Sequence, residues 1–220
     1  GAFAFWTLAA RRYPAGEIGS AQALFTSLLV VTWLSALGLP FAVARHCRDD
    51  SRSSNVNFAL AAGLTSIGSL VAAVAYLAWD DDRLRAADAS ALPAVFVVSA
   101  VGVSLAVLVE VRLMALREWR WVVGRAVFVV LARLPVLLMI GEQPIFWLFV
   151  AVAGTPALSG FIGAAALIAH RSGAQVSVDR GDATEFMRAA ASHLPALLAT
   201  QAPNFVVPFV VAARLDAADY

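Results

Sequence analysis

Five stretches of this chain, 18–44, 53–79, 89–109, 143–170 and 189–213, each run for at least 21 residues without one Asp, Glu, Lys or Arg. A helix crossing the hydrocarbon core of a bilayer needs about 20 apolar residues at roughly 1.5 Å each. A helix of that length on a soluble domain would carry a charged face, and these stretches have none. The expected fold is therefore all-α, a polytopic membrane helix bundle, and function is to be sought inside or across a bilayer.

Composition agrees where it bears on the argument. The chain is 61% hydrophobic and 14% charged, against about 25% charged residues in typical soluble domains. A net charge of +1 gives no reason to expect nucleic acid or a strongly acidic partner. The single Cys47 excludes an internal disulfide and a cysteine metal cluster. The chain opens at Gly1 inside an apolar run and ends at Tyr220 just past another. Arg11 and Arg12 follow the first run instead of preceding it, unlike a signal peptide. The expectation is a piece of a longer membrane protein.

Seven spans fit the pattern, at about 1–10, 18–44, 57–79, 91–113, 122–140, 144–170 and 193–213. Gly38 and Pro40 are placed to bend the far end of the second. The most polar stretch, 171–188, is the candidate boundary between two bundles. The domain reading is a first transmembrane lobe over 1–170, a cytoplasmic linker with a surface helix over 171–192, and the first span of a second lobe over 193–220. Asp182 and Glu185 have capping-box spacing, and Phe186, Ala190 and Leu194 then repeat every four residues. That pattern suits a helix lying on the membrane surface, or equally the first turn of the seventh span.

Orientation follows from the arginines in loops. Loops after spans two, four and six hold eight (Arg45, Arg48, Arg52, Arg117, Arg120, Arg171, Arg180, Arg188), and the other side holds five (Arg11, Arg12, Arg83, Arg85, Arg214). The even loops and the start of the chain are accordingly expected in the cytoplasm. Labelling Cys47 in intact cells with an impermeant thiol reagent would report the side. Trp119 and Trp121 beside Arg117 and Arg120 suit a headgroup anchor.

Polar groups inside spans are the candidate functional residues, because each costs free energy to hold there. Arg133 lies near the middle of span five, where an arginine costs about 2.5–3.5 kcal/mol on insertion scales. Arg125, eight residues earlier, falls within about 80° of the same helix face. Together they form a basic stripe suited to phosphate or an acidic sugar. An ion pair with Glu110 and snorkelling to the interface are the other readings. Glu110 and Arg112 lie near the end of span four, where wet side chains are expected. Glu110 is also the one carboxylate within a span that an ion-coupled exporter would use. Span seven offers Thr200, Gln201 and Asn204 as cavity candidates, among Pro195, Pro203 and Pro208. Those prolines and Pro40 are the candidate hinges. Small residues four apart, Ser159 with Gly163 and Gly160 with Ala164, let a neighbouring helix come close.

Catalytic patterns such as G-x-S-x-G, H-E-x-x-H or a P-loop are absent from the sequence, and no cofactor or metal is expected. His46, His170 and His193 fall at span ends, where interfacial residence explains them. The chain is expected not to be an enzyme.

The segment Phe5-Trp6-Thr7-Leu8-Ala9-Ala10-Arg11-Arg12-Tyr13-Pro14-Ala15-Gly16-Glu17-Ile18-Gly19 resembles the first span and first loop of bacterial polysaccharide-export flippases. These belong to the multidrug/oligosaccharidyl-lipid/polysaccharide exporter superfamily. Leu37-Gly38-Leu39-Pro40 followed by Arg45 is similar to the end of their second helix. The stretch 113–122, with Arg117, Trp119, Arg120 and Trp121, resembles their loop between spans four and five. The resemblance covers most of the 220 residues, through loose motifs, and the chain is about half the family's length. It implies two pseudo-symmetric six-helix lobes around a central cavity in the bacterial cytoplasmic membrane. The implied activity is alternating-access transfer of a polyprenyl-diphosphate-linked oligosaccharide or polysaccharide precursor to the outer leaflet. The implied partners are that lipid-linked anionic saccharide, membrane lipids, and glycosyltransferases or a polymerase of the same pathway. The competing readings are an ion-coupled multidrug or cation exporter of the same superfamily, an envelope-lipid enzyme, and a non-transporting scaffold.

Overall fold

Every regular element among the described residues is helical in the structure, a computed structural model that describes residues 2–49, 51–79, 90–138, 143–169, 181, 183–197 and 199. Nine elements can be followed. They are α1 (Ala2–Arg12), α2 (Ala15–Ala36), α3 (Leu39–His46), α4 (Arg52–Trp79), α5 (Leu92–Ala115), α6 (Trp119–Leu138), α7 (Pro144–Phe149), α8 (Thr155–Ala169) and α9 (183–197). Between α7 and α8 a π-helical turn, Val150–Gly154, keeps the helix continuous.

Among the described residues, four helices are long and apolar enough to cross a membrane: Ala15–Ala36, Arg52–Trp79, Leu92–Ala115 and Pro144–Ala169. The other three expected spans are not among these four. Helix α1 is 11 residues long, the partial span expected at the start of the chain. Helix α6 carries Arg125 and Arg133 within its apolar run, and the expected end of that span at 140 lies outside the described residues. Of the seventh, the part past residue 199 lies outside the described residues. Residues 183–197 are helical throughout, so the surface-helix segment and the start of the expected span form one element.

The second apolar stretch is two helices, not one bent one. Leu37 and Gly38 both take left-handed backbone angles, φ 47° and 76°, which end α2 and aim α3 in a new direction. Pro40 sits in the first turn of α3, where its missing N–H is not needed by the helix. Gly38 also has a packing reason to be glycine. A Cβ there would lie 2.3 Å from the carbonyl oxygen of Ala190 in α9. Between α5 and α6 the chain turns through a Schellman motif. Glu118 N–H donates to Leu113 O at 2.9 Å and Arg117 N–H to Met114 O at 3.0 Å, with Arg117 at φ 61°.

Helix α5 is the centre of the bundle, buried along most of its length by α2, α3, α4 and α8. Its closest partner is α8. A Cβ on Gly160 would meet the Gly102 carbonyl oxygen at 2.0 Å, and one on Gly102 would meet Ala157 Cβ at 2.6 Å. Small residues thus let the two backbones touch. One core layer stacks Tyr76 on Phe96 (5.2 Å, 19°) and Phe96 on Phe149 (5.9 Å, 11°). A second, around Leu39, Val43, Phe58 and Leu108, takes in Phe186 and Ala190 of α9. At the joint of α2, α4 and α5, Ser35, Ser69 and Ser104 bond one another at 2.7–3.4 Å, polar glue inside an apolar seam.

Candidate functional site

Helix α6 presents its arginines to the span formed by α7, the π turn and α8. Arg125 reaches the α5–α8 seam. Its NH2 forms an ion pair with Glu110 Oε2, and its NH1 donates to Ser159 Oγ at 3.4 Å. The Arg125 Nε is buried and makes no hydrogen bond among the described residues. Two turns on, Arg133 meets the same span closer to its break. Its NH2 donates to the Val152 carbonyl oxygen at 3.2 Å and its Nε to Thr155 Oγ1 at 3.4 Å. The guanidinium stands 6.0 Å from the centre of the Phe5 ring of α1, within reach of a cation–π attraction. Eight residues of helix separate the two arginines by about 12 Å along the axis.

The stripe expected from sequence is thus brought together on one seam, and its two members have different partners. Arg125 is the one that pairs with Glu110. Arg133 is held by neutral oxygens and a ring. Of the remaining candidates, Gln201 and Asn204 lie outside the described residues, as do Thr200, Pro203 and Pro208. Pro195 is on α9 and exposed. Pro40 is buried, and the change of direction next to it is made by Leu37 and Gly38. His46 meets the Phe186 ring edge-on at 6.0 Å, and His193 meets Phe41 at 5.4 Å. Both histidines therefore join α3 to α9. His170 lies outside the described residues.

Arg112 corrects the expectation of a wet interfacial side chain. It is 1% exposed, although it is two residues from Glu110. Two residues turn a helix by about 200°, so Arg112 faces the opposite way, into the α3–α4 connection. There its NH1 donates to the Cys47 carbonyl oxygen and Ser54 Oγ. Its NH2 donates to the Asp49 carbonyl oxygen at 2.8 Å and Asn55 Oδ1 at 2.9 Å. Phe58 lies 5.9 Å below it. The guanidinium gathers the C-terminal end of α3, where carbonyls lack helical donors, and the first turn of α4. A sequence signal existed: the short-chain donors and acceptors crowded into 47–57 need a polar partner if the loop tucks inward.

The same connection perturbs two titrations outside the spans. Burial pushes the Cys47 thiol above its ordinary range, with the Arg112 charge pulling against it. Its Sγ donates to the Ser54 carbonyl oxygen at 3.4 Å. The Ser51 hydroxyl and N–H hold the Asp49 carboxyl below the usual range, helped weakly by Arg112.

Chemically, the α6–α8 seam offers cationic hydrogen-bond donors facing a helix break in an apolar surround, which suits positioning or exchanging an anion. No protein-family model, curated protein or solved structure matches the chain.

Proposed function

We propose that this chain is the first lobe, with the start of the second, of a two-lobed membrane flippase. The flippase moves a polyprenyl-diphosphate-linked oligosaccharide or polysaccharide precursor across the bacterial cytoplasmic membrane by alternating access. The reading includes seven spans, with the start of the chain on the cytoplasmic side. The observation that carries it is the charge balance of the α6–α8 seam. Arg125 has its carboxylate in Glu110, whereas among the described residues Arg133 is held by the neutral Val152 carbonyl and Thr155 hydroxyl. A guanidinium so placed, roughly 20 Å along the helix from the Trp119 anchor, leaves a positive charge in an apolar setting. An anionic headgroup there gains charge-assisted bonds that a cation does not.

The same pairing weighs against the cation-exporter reading. A cation entering this seam competes with Arg125 for the Glu110 carboxylate. The test uses the full-length protein with Arg133→Ala and Arg133→Lys, following both surface polysaccharide and the transfer of a fluorescent lipid-linked oligosaccharide in proteoliposomes. A role in holding the diphosphate predicts that the Ala variant loses at least tenfold in transfer rate and that Lys restores part of it. Transfer by Arg133→Ala at the wild-type rate would remove the arginine from the mechanism. Glu110→Gln with full loss of ion-driven drug efflux would favour the exporter instead.

A further inference from the structure

Pro156 stands two residues past the π turn. Having no N–H, it cannot serve the Val152 carbonyl four residues before it, which an α-helix would otherwise satisfy. That carbonyl belongs to a residue 3% exposed, in a span where no water is at hand to replace the missing donor. Two side chains close the gap. The Thr155 hydroxyl donates to the Ala151 carbonyl oxygen at 2.8 Å. Arg133, from a different helix, donates to the Val152 oxygen at 3.2 Å, with its Nε on the Thr155 hydroxyl oxygen at 3.4 Å. One edge of a planar fork thus lies along the broken turn.

We propose that Arg133 is a latch: its guanidinium supplies the donor that Pro156 withholds from Val152, tying α6 to the break between α7 and α8, and an anion that captures the guanidinium opens it. A neutral carbonyl is a weaker acceptor for a cationic donor than a phosphate oxygen, which opposes charge with charge and can take the planar fork at two oxygens. Arrival of the anion transfers the fork from protein to ligand. The Val152 carbonyl is released, and the π turn can bend or rewind independently of α6. Local π turns are common where helices change shape for function. The opening half of this device rests on the flippase reading, while the latch itself does not.

A double-mutant cycle on the full-length protein separates the two. Thermal unfolding is measured in detergent for wild type, Arg133→Ala, Pro156→Ala and the pair. Alanine at 156 restores an N–H that reaches the Val152 oxygen. In the wild-type background Arg133→Ala is expected to lower the midpoint by several degrees, because a buried carbonyl loses its donor. In the Pro156→Ala background the same substitution is expected to have less than half that effect. Equal losses in both backgrounds would overturn the latch. If Arg133→Ala alone does not fold, recovery in the double variant supports the proposal, and failure of both to fold overturns it. Transfer of the lipid-linked oligosaccharide by the double variant tests the other layer. Wild-type transfer beside a coupled stability cycle leaves the latch standing and overturns its opening by the anion, whereas absence of transfer by the wild-type protein itself sinks the flippase reading.

Discussion

Arg112, Arg125 and Arg133 share one bundle, and partner chemistry sets what each does. Arg125 faces a carboxylate, Arg133 a proline-opened helix, and Arg112 a ring of loop oxygens. Arg112 is the most deeply buried of them and the one whose loss is expected to matter most for folding. Removing it takes the guanidinium's bonds from the Cys47 and Asp49 carbonyls and from the Ser54 and Asn55 side chains, with the Asp49 carbonyl keeping the Ser54 hydroxyl as a donor. At about 1–3 kcal/mol for each buried group left unsatisfied, Arg112→Ala is expected to destabilise the protein by roughly 3 kcal/mol or more. Arg112→Lys should recover less than half, since one ammonium does not reproduce a planar fork with donors on two sides. Unfolding of detergent-solubilised protein, compared across the three forms, checks this; a stability of Arg112→Ala equal to wild type would contradict the clamp. The sequence places Glu110 and Arg112 together at one span end and gives no means of seeing that they face opposite neighbours. Burial of each depends on which helix lies against which face.

At the scale of elements, the α5–α8 contact is set by glycines. Gly160 has no room for a methyl, because the nearest atom is the backbone oxygen of Gly102 at 2.0 Å, and backbone cannot rotate away. Gly163 meets a side-chain methyl of Val109 at 2.7 Å, which has some freedom to move. Gly63 on α4 has open space. Substituting alanine at each should therefore give a graded series. Gly160→Ala should cost roughly 1–3 kcal/mol through forced separation of the helices, and Gly163→Ala less. Gly63→Ala should be neutral or stabilising by up to about 1 kcal/mol from helix propensity. Midpoints of thermal unfolding in detergent give the order, and equal effects at 160 and 63 would refute the close contact. Small residues four apart were visible in the sequence, along with a bend at Gly38 and Pro40, which the structure makes a full break. The π turn was not, because Pro156 alone is compatible with a kink, a bulge or a helix start. The choice among them is made by the neighbour that satisfies the freed carbonyl.

At the scale of the molecule, four helices among the described residues have the length and apolarity to cross a bilayer, and α5 is surrounded by the others. The proposed orientation, with the α3–α4 connection in the cytoplasm, rests on the arginine count of eight against five, and a labelling experiment decides it. Cys47 is a poor reporter, being 0% exposed and bonded to Ser54 with its thiol pushed toward the protonated form. Thiolate is the species that reacts, so slow labelling of Cys47 is expected from either side. Arg45 is exposed at the end of α3. A Cys47→Ala, Arg45→Cys protein is expected to react with an impermeant maleimide in inside-out vesicles and not in intact cells. Ready reaction in intact cells would invert the topology.

The all-helical class and the apolar stretches that hold the four long helices follow from the sequence by itself, while the division of 18–44 into two helices and the single helix over 183–197 do not. Charge exclusion and helix length are local properties that lipid imposes on any chain crossing it. The tertiary structure decided what each polar residue does. Which arginine pairs with Glu110, which caps a broken helix and which disappears into a loop all depend on contacts between segments far apart in the chain. Those contacts follow from interhelical packing, to which no periodicity within a single helix refers.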